Sequence, residues 1–179
     1  NDGNGDSSCH GRVYKWNGSS WEKMGQDIDG AAANDWSGYS VSLSSDGETV
    51  AIGAPYNDDN GSASGHTRVY AWNDSLSTPS WVQMGDAIDG EASGDNSGWS
   101  VSLSGDGLVV AIGARLNDGT NGTARYAGHT RVYKWNSSSW VKMGQDIDGE
   151  AAGDRSGWSV SLSSDGQVLA IGAPYNDPN

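Results

Sequence analysis

Acidic side chains are concentrated in the polar segments that separate the apolar stretches of this sequence. Carboxylate oxygens mixed with Asn side chains and free backbone carbonyls are the ligands that a hard cation such as Ca²⁺ prefers. The sequence therefore predicts calcium in these segments. At Asp95 and Asp154 the alternative is structural: the carboxylate accepts backbone N–H groups and fixes a turn. The candidate calcium ligands are Asp58, Asp59, Asp86, Asp89, Glu91, Asp95, Asp118, Asp146, Asp148, Glu150 and Asp154.

Tryptophan is the second residue type that could form a binding site. The chain has nine Trp and no Phe, and an indole ring combines a large apolar face with a polar edge. Trp21, Trp81 and Trp140 recur at one position of a repeat, and exposed rings there could stack on a sugar. The alternative is that these rings are buried between neighbouring repeats.

Histidine recurs at the same position of the repeat, as His10, His66 and His129. Equivalent positions of separate repeats lie far apart, so the three rings cannot converge on one metal ion. We expect a packing or hydrogen-bonding role for each of them.

The residue pattern indicates no catalytic site. No Ser/His/Asp order and no Gly-x-Ser-x-Gly turn is evident, and paired carboxylates occur in every repeat rather than in one cleft. We expect the protein not to be an enzyme.

The formal net charge of −13 bears on the class of partner. Nucleic acids and anionic membranes bind through Lys and Arg, which this chain largely lacks. No apolar run approaches the ~20 residues that span a bilayer. Cations or basic partners fit the charge better. Asn-x-Ser/Thr sequons offer glycosylation sites for an extracellular or cell-surface protein, at Asn17, Asn60, Asn73, Asn121 and Asn136.

These residues belong to a sequence that repeats itself. Ser37-Gly38-Tyr39-Ser40-Val41-Ser42-Leu43 returns, with Trp in place of Tyr, at residues 97–103 and again at 156–162. A period of about 60 residues indicates serial supersecondary units that bury their apolar faces against one another.

We call residues 37–96 the first unit and residues 97–155 the second unit. The second unit shows the predicted strands most clearly. Residues 100–104 alternate apolar and hydroxyl side chains, as strand one. The turn Gly105-Asp106-Gly107 leads to an apolar strand two over 108–114, since Asp-Gly between apolar runs predicts a hairpin. Strand three is predicted at 129–135 and strand four at 140–144. Four antiparallel strands per unit form the blade of a β-propeller; a β-sandwich and a β-solenoid are the rival folds.

Two short motifs recur together in this sequence, Ser-Gly-Tyr/Trp at the start of strand one and Gly-Ala-Pro at the end of strand two. They resemble the two signatures of the FG-GAP repeat family of integrin α-subunit propellers, and more closely those of its short bacterial and algal relatives. Ser-Gly-Tyr/Trp stands at the family's Phe-Gly position. Gly53-Ala54-Pro55 and Gly172-Ala173-Pro174 match the second signature, whereas Gly113-Ala114-Arg115 lacks the Pro. The resemblance implies an integrin α-like propeller with an Asp-rich calcium loop between strands one and two.

That calcium loop is not expected in this chain. Its strand one to strand two turns hold a single acid each, at Asp46, Asp106 and Asp165. Such short turns cannot supply the six to eight oxygens that calcium prefers. In an up-and-down blade, the loops between strands two and three (residues 57–65 and 117–128) share one face with the connectors to the next unit. These connectors are residues 146–157 and the equivalent segment that holds Asp86, Asp89, Glu91 and Asp95. We name the shared face the connector face, and it holds most of the acids.

The repeats predict a half blade over 1–36 (strands three and four), full blades over 37–96 and 97–155, and a half blade over 156–179 (strands one and two). This 2+4+4+2 arrangement gives three blade equivalents, and rings need about four to eight. One chain alone is thus not expected to close a ring. We expect a homo-oligomer, or a segment of a longer chain that completes the propeller.

The sequence favours an extracellular, non-enzymatic repeat module with a structural or adhesive role, which binds a protein or glycan through a calcium-binding connector face. One alternative is a multivalent lectin with Trp-based sugar sites at blade junctions. A second is an accessory domain of a larger secreted enzyme.

Overall fold

A computed structural model describes residues 8–119 and 122–177, and within them it is all β with no helix. The strands are β1 (His10–Gly11), β2 (Tyr14–Trp16), β3 (Trp21–Lys23), β4 (Ile28–Asp29), β5 (Ser40–Leu43), β6 (Thr49–Ala54), β7 (His66–Asn73), β8 (Ser80–Gln83), β9 (Ile88–Asp89), β10 (Ser97–Leu103), β11 (Val109–Ala114), β12 (His129–Trp135), β13 (Trp140–Lys142), β14 (Ile147–Asp148), β15 (Ser159–Leu162) and β16 (Leu169–Gly172).

The sheets follow the predicted blade. Strands β5, β6, β7 and β8 are neighbours in one antiparallel sheet, and β10, β11, β12 and β13 repeat the order in a second sheet. The β5–β6 hairpin forms because Oδ1 of Asp46 accepts the Ser44 hydroxyl and the Glu48 N–H, and Gly47 takes the positive φ of 74° that the turn requires. The prediction of antiparallel propeller blades is confirmed.

Strand four differs from the prediction, because it is divided into two parts. Strand β8 pairs with the end of β7, and β9 pairs with its beginning, so that His66 lies opposite Asp89. The division falls at Gly85, which has a φ of +67°. A Cβ there would lie 2.9 Å from the Trp135 ring of the next unit. Asp86 therefore precedes the outer strand β9 and Asp89 is its last residue, so neither lies in a free connector.

Neighbouring units meet through backbone and hydroxyl groups. The Ser40 hydroxyl donates to the Gly98 carbonyl at 2.8 Å, and Ser100 donates to Gly157 at the same distance. A Cβ on Gly53 would lie 2.1 Å from the Gly98 oxygen. The glycine of the Gly-Ala-Pro signature thus lets one unit approach the Ser-Gly phrase of the next.

The described units form part of a propeller, and none of their sheets closes on itself. Val101 and Leu103 of β10 are 7% and 6% exposed against the preceding unit. The equivalent Val41 and Leu43 of β5 are 59% and 49% exposed. The expectation that these units alone leave the ring open is confirmed.

Candidate functional site

Two of the candidate acids on the connector face fix the connector itself. Oδ2 of Asp95 accepts the Ala92 N–H at 3.1 Å and the Asn117 side-chain amide at 2.9 Å. Asp154 makes the same two bonds, with Ala151 and Asn176. Burial raises the pKa of Asp95, although the Asn117 hydrogen bond opposes the shift. Both carboxylates therefore accept backbone N–H groups and fix their turns, which is the structural role that the sequence offered as the alternative to calcium binding.

Other candidate acids fix loops or form ion pairs. Oδ1 of Asp58 accepts the Ala63 N–H at 2.7 Å, and Oδ1 of Asp118 accepts the Tyr126 N–H at 2.9 Å. Lys142 lies 2.7 Å from Asp146. Asp86 and Glu150 are exposed.

The structure brings the remaining acids to the recurrent histidines. Asp59 and Asp89 lie beside His66, and Glu91 lies beside His129 together with Asp146 and Asp148. In the second unit Gly119 occupies the position of Asp59, and Glu91 from the neighbouring connector supplies the carboxylate instead. Burial lowers the pKa of both histidines, that of His129 to about 4.

Among the described residues, two groups of three side chains bring their possible metal-ligand atoms within 4.8 Å of one another: Asp59, His66 and Asp89, and Glu91, His129 and Asp146. Each includes a histidine nitrogen, whereas calcium prefers six to eight oxygens. The donor sets therefore do not fit calcium. Calcium binding stays a prediction from the sequence, and the function proposed below does not require it.

The outer tryptophans join one unit to the next. Nε1 of Trp81 donates to the Met24 carbonyl at 2.8 Å, and Nε1 of Trp140 donates to the Met84 carbonyl at 2.9 Å. Both rings are half-buried, whereas Trp21 is 67% exposed. Of the three candidate sugar-binding rings, only Trp21 is well exposed.

A continuous row of aromatic rings crosses the connector face, and the sequence did not predict it. The rings of Tyr39 and Trp99 are 4.4 Å apart, and those of Trp99 and Trp158 are 5.4 Å apart. The Arg115 guanidinium lies 3.4 Å from the centre of the Trp99 ring and 4.9 Å from that of Trp158. The missing Pro of the second Gly-Ala-Pro signature was the signal: Arg115 stands in its place.

A cleft of about 480 Å³ opens beside Arg115, between the loops of the first and second units. Its lining includes Tyr56, Asp118, Arg125 and Tyr126. Tyr126 has a φ of +58°, which is uncommon outside glycine. Its backbone is held there because its N–H donates to Asp118 and its carbonyl accepts the Arg155 N–H.

The described candidate glycosylation sites lie in turns, except Asn73, which is the last residue of β7. Asn17, Asn60 and Asn136 are exposed and Asn73 is half-buried. Oδ1 of Asn17 and Oδ1 of Asn136 accept backbone N–H groups of their own turns. Asn121 lies outside the described residues.

Serial antiparallel sheets that pack face to face, with loops gathered on one face, define a β-propeller-like repeat protein. The FG-GAP repeat family matches residues 28–70, 86–128 and 147–179, so the match covers more than half of the chain. The chain therefore belongs to the FG-GAP repeat family. No curated protein matches it. The described residues contain no helix long and apolar enough to cross a membrane.

Proposed function

We propose that this chain is a non-enzymatic β-propeller module that acts outside the cell in a structural or adhesive role and binds a glycan through its connector face. The observation that carries the proposal is the cleft between the first and second units. A protein partner is the alternative occupant. Repeats of this family occur in extracellular or surface proteins, and the exposed sequons at Asn17 and Asn136 are compatible with that location.

The cleft has the size and the side chains of a saccharide site. Its volume falls in the range of small-molecule sites, about 300–1,000 Å³. Tyr56 and Tyr126 offer rings for the apolar faces of a sugar, and Arg125 offers hydrogen bonds for its hydroxyls. The Arg125 guanidinium lies 4.7 Å from the Tyr126 ring and donates to its hydroxyl at 2.9 Å. The two side chains are thus held together at the wall of the cleft.

The lining also supports a binding role rather than a catalytic one. Its carboxylates, Asp95 and Asp118, accept hydrogen bonds from the loops that they fix. The described lining contains no histidine or cysteine that could act as a base or a nucleophile. Its groups can orient a ligand without transforming it.

The chain provides matched variants for testing this site. Pro55 occupies the position of Arg115 in the first unit, and Ala63 occupies the position of Tyr126 with a similar φ of +50°. The backbone bonds match as well, since Asn96 donates to the Ala63 carbonyl as Arg155 does to that of Tyr126. Arg115→Pro and Tyr126→Ala therefore install residues that this fold already accepts.

The experiment is a glycan array probed with the full chain and both variants. We expect the wild-type chain to bind a restricted set of saccharides. Each variant should lose at least about tenfold in affinity, the equivalent of about 1.4 kcal/mol. Both should remain folded, but Arg115→Pro should also lower the unfolding midpoint, because it removes the contacts of the guanidinium with Trp99 and Trp158. Asp106→Asn, on the opposite face, is the control and should bind normally. Absence of saccharide binding by the wild-type chain, or wild-type affinity in both cleft variants, would refute the proposed glycan function.

A further inference from the structure

Three metal-ligating side chains meet where β7 begins, and none of them lines the proposed cleft. His66 starts β7, Asp59 lies in the loop before it, and Asp89 ends the paired strand β9. Nδ1 of His66 is 3.5 Å from Oδ2 of Asp59 and 4.0 Å from Oδ1 of Asp89. We propose that these side chains bind one divalent transition-metal ion of the Zn²⁺ type.

The buried imidazole is the observation that points to a ligand. His66 is 1% exposed, and neither of its ring nitrogens makes a hydrogen bond to any described residue. An unsatisfied buried polar atom is costly, and a metal ion at Nδ1 would satisfy that atom. Burial lowers the pKa of His66, with a further contribution from Arg68, and the Asp35, Asp59 and Asp89 carboxylates oppose the shift.

The geometry suits a small ion. The candidate ligand atoms all lie within 4.8 Å of one another. Ligands about 2.0–2.2 Å from a tetrahedral ion are about 3.4 Å apart, which is close to the separation of His66 and Asp59. On the same geometry, the Asp89 carboxylate must come closer to His66 by roughly half an ångström, and its side chain is 43% exposed.

The donor types select the ion. Imidazole suits Zn²⁺, Cu²⁺ and Ni²⁺, whereas calcium and magnesium prefer oxygen ligands alone. Asp59 and Asp89 would hold the ion from the exposed side, and His66 would hold it from the buried side. A bound ion would thereby tie the β6–β7 loop to the outer strand β9.

In the equivalent group around His129, two cationic side chains already pair with the carboxylates. Nη1 of Arg131 lies 3.4 Å from Glu91, and Nζ of Lys142 lies 2.7 Å from Asp146. These cations already balance the carboxylates beside His129. We therefore assign the metal to the first unit's group alone.

The test is a Co²⁺ titration of the full chain after treatment with a chelator, in a Cys9→Ser background that removes the thiol. Visible absorption and calorimetry report the binding. We expect one Co²⁺ per chain, displaced by Zn²⁺ and not by a large excess of Ca²⁺. Asp59→Asn should weaken binding at least about tenfold, because even the loss of a group that only supports a metal ligand costs about 10–100-fold in affinity.

The adjacent Asp58→Asn is the matched control, because it removes the same charge while keeping an oxygen for the Ala63 N–H. It should bind within about twofold of the parent chain, since its carboxylate is not a proposed ligand. Zn²⁺ should also raise the unfolding midpoint of the parent and of Asp58→Asn but not that of Asp59→Asn. Absence of stoichiometric binding, equal weakening by the two substitutions, or displacement by Ca²⁺ would overturn the assignment.

Discussion

The contact between Gly53 and Gly98 provides a direct test of how the units join. A Cβ added at Gly53 would lie 2.1 Å from the Gly98 carbonyl oxygen and 2.4 Å from the Ser40 hydroxyl. Gly53 does not have a positive φ, so Gly53→Ala introduces no backbone strain of that kind. The substitution tests space alone, and it should force the first and second units apart.

The magnitude follows from two effects. Overpacking a tight contact costs about 1–3 kcal/mol, and losing the 2.8 Å hydrogen bond from Ser40 to Gly98 costs about 1 kcal/mol more. Gly53→Ala should therefore destabilise the chain by about 2–4 kcal/mol. For a chain of this length that corresponds to a fall of roughly 4–16 °C in the unfolding midpoint.

Gly172→Ala is the matched control. Gly172 occupies the same position in the last Gly-Ala-Pro signature, and the three atoms nearest to its added Cβ belong to Ser159 of its own hairpin. Both variants would be unfolded by heat and by urea, followed by circular dichroism and Trp fluorescence. If Gly53→Ala unfolded at the same midpoint as Gly172→Ala, the contact between units would not restrict the size of the side chain at position 53. That result would refute the reasoning.

Two further predictions concern the outer strand and the turns. Trp140→Phe removes a hydrogen bond between units, so it should lower the free energy of unfolding, measured in urea, by about 1 kcal/mol. Trp21→Phe changes an exposed ring and should lower it by less than about 0.5 kcal/mol. Equal losses would contradict the role of Trp140 in joining the units. Hydrogen bonds from Ser hydroxyls and backbone N–H groups lower the pKa values of Asp46, Asp106 and Asp165 below 3.8. Their stabilisation is present above that pH and lost as the pH falls through their lowered folded pKa values. The triple Asp→Asn variant should lose less stability than the wild type between about pH 5 and about pH 2; parallel losses would contradict the assignment.

The sequence predicted the hairpins well because their signals are local. Asp106-Gly107 between alternating and apolar runs identifies β10 and β11 without knowledge of any distant residue. The division of strand four was missed because a lone glycine such as Gly85 resembles the end of a strand. The strand continues beyond Gly85 because β9 pairs with β7. A glycine is needed there because a Cβ would meet the Trp135 ring of the next unit.

The candidate site was harder to predict because it depends on contacts between units. Counting acids could not separate Asp95, which accepts loop hydrogen bonds, from Asp59, which lies against a buried imidazole. The cleft was missed because Tyr56 and Tyr126 are 70 positions apart in sequence and come together only when two loops pack. Arg115 was visible as a departure from the repeat, but its guanidinium could not be placed on a Trp ring from sequence.

The close approach of Gly53 to Gly98 recurs between Gly113 and Gly157, where an added Cβ would likewise lie 2.1 Å from the carbonyl oxygen of the next unit. Because this junction uses main-chain atoms and small hydroxyls, it depends little on the side chains that a unit presents on its connector face. Loop residues can therefore diverge in one copy of the repeat after gene duplication without requiring compensating changes in its neighbours. Arg115 and Tyr126, which replace the Pro and Ala of the preceding copy on an equivalent backbone, are the divergence that such a junction permits.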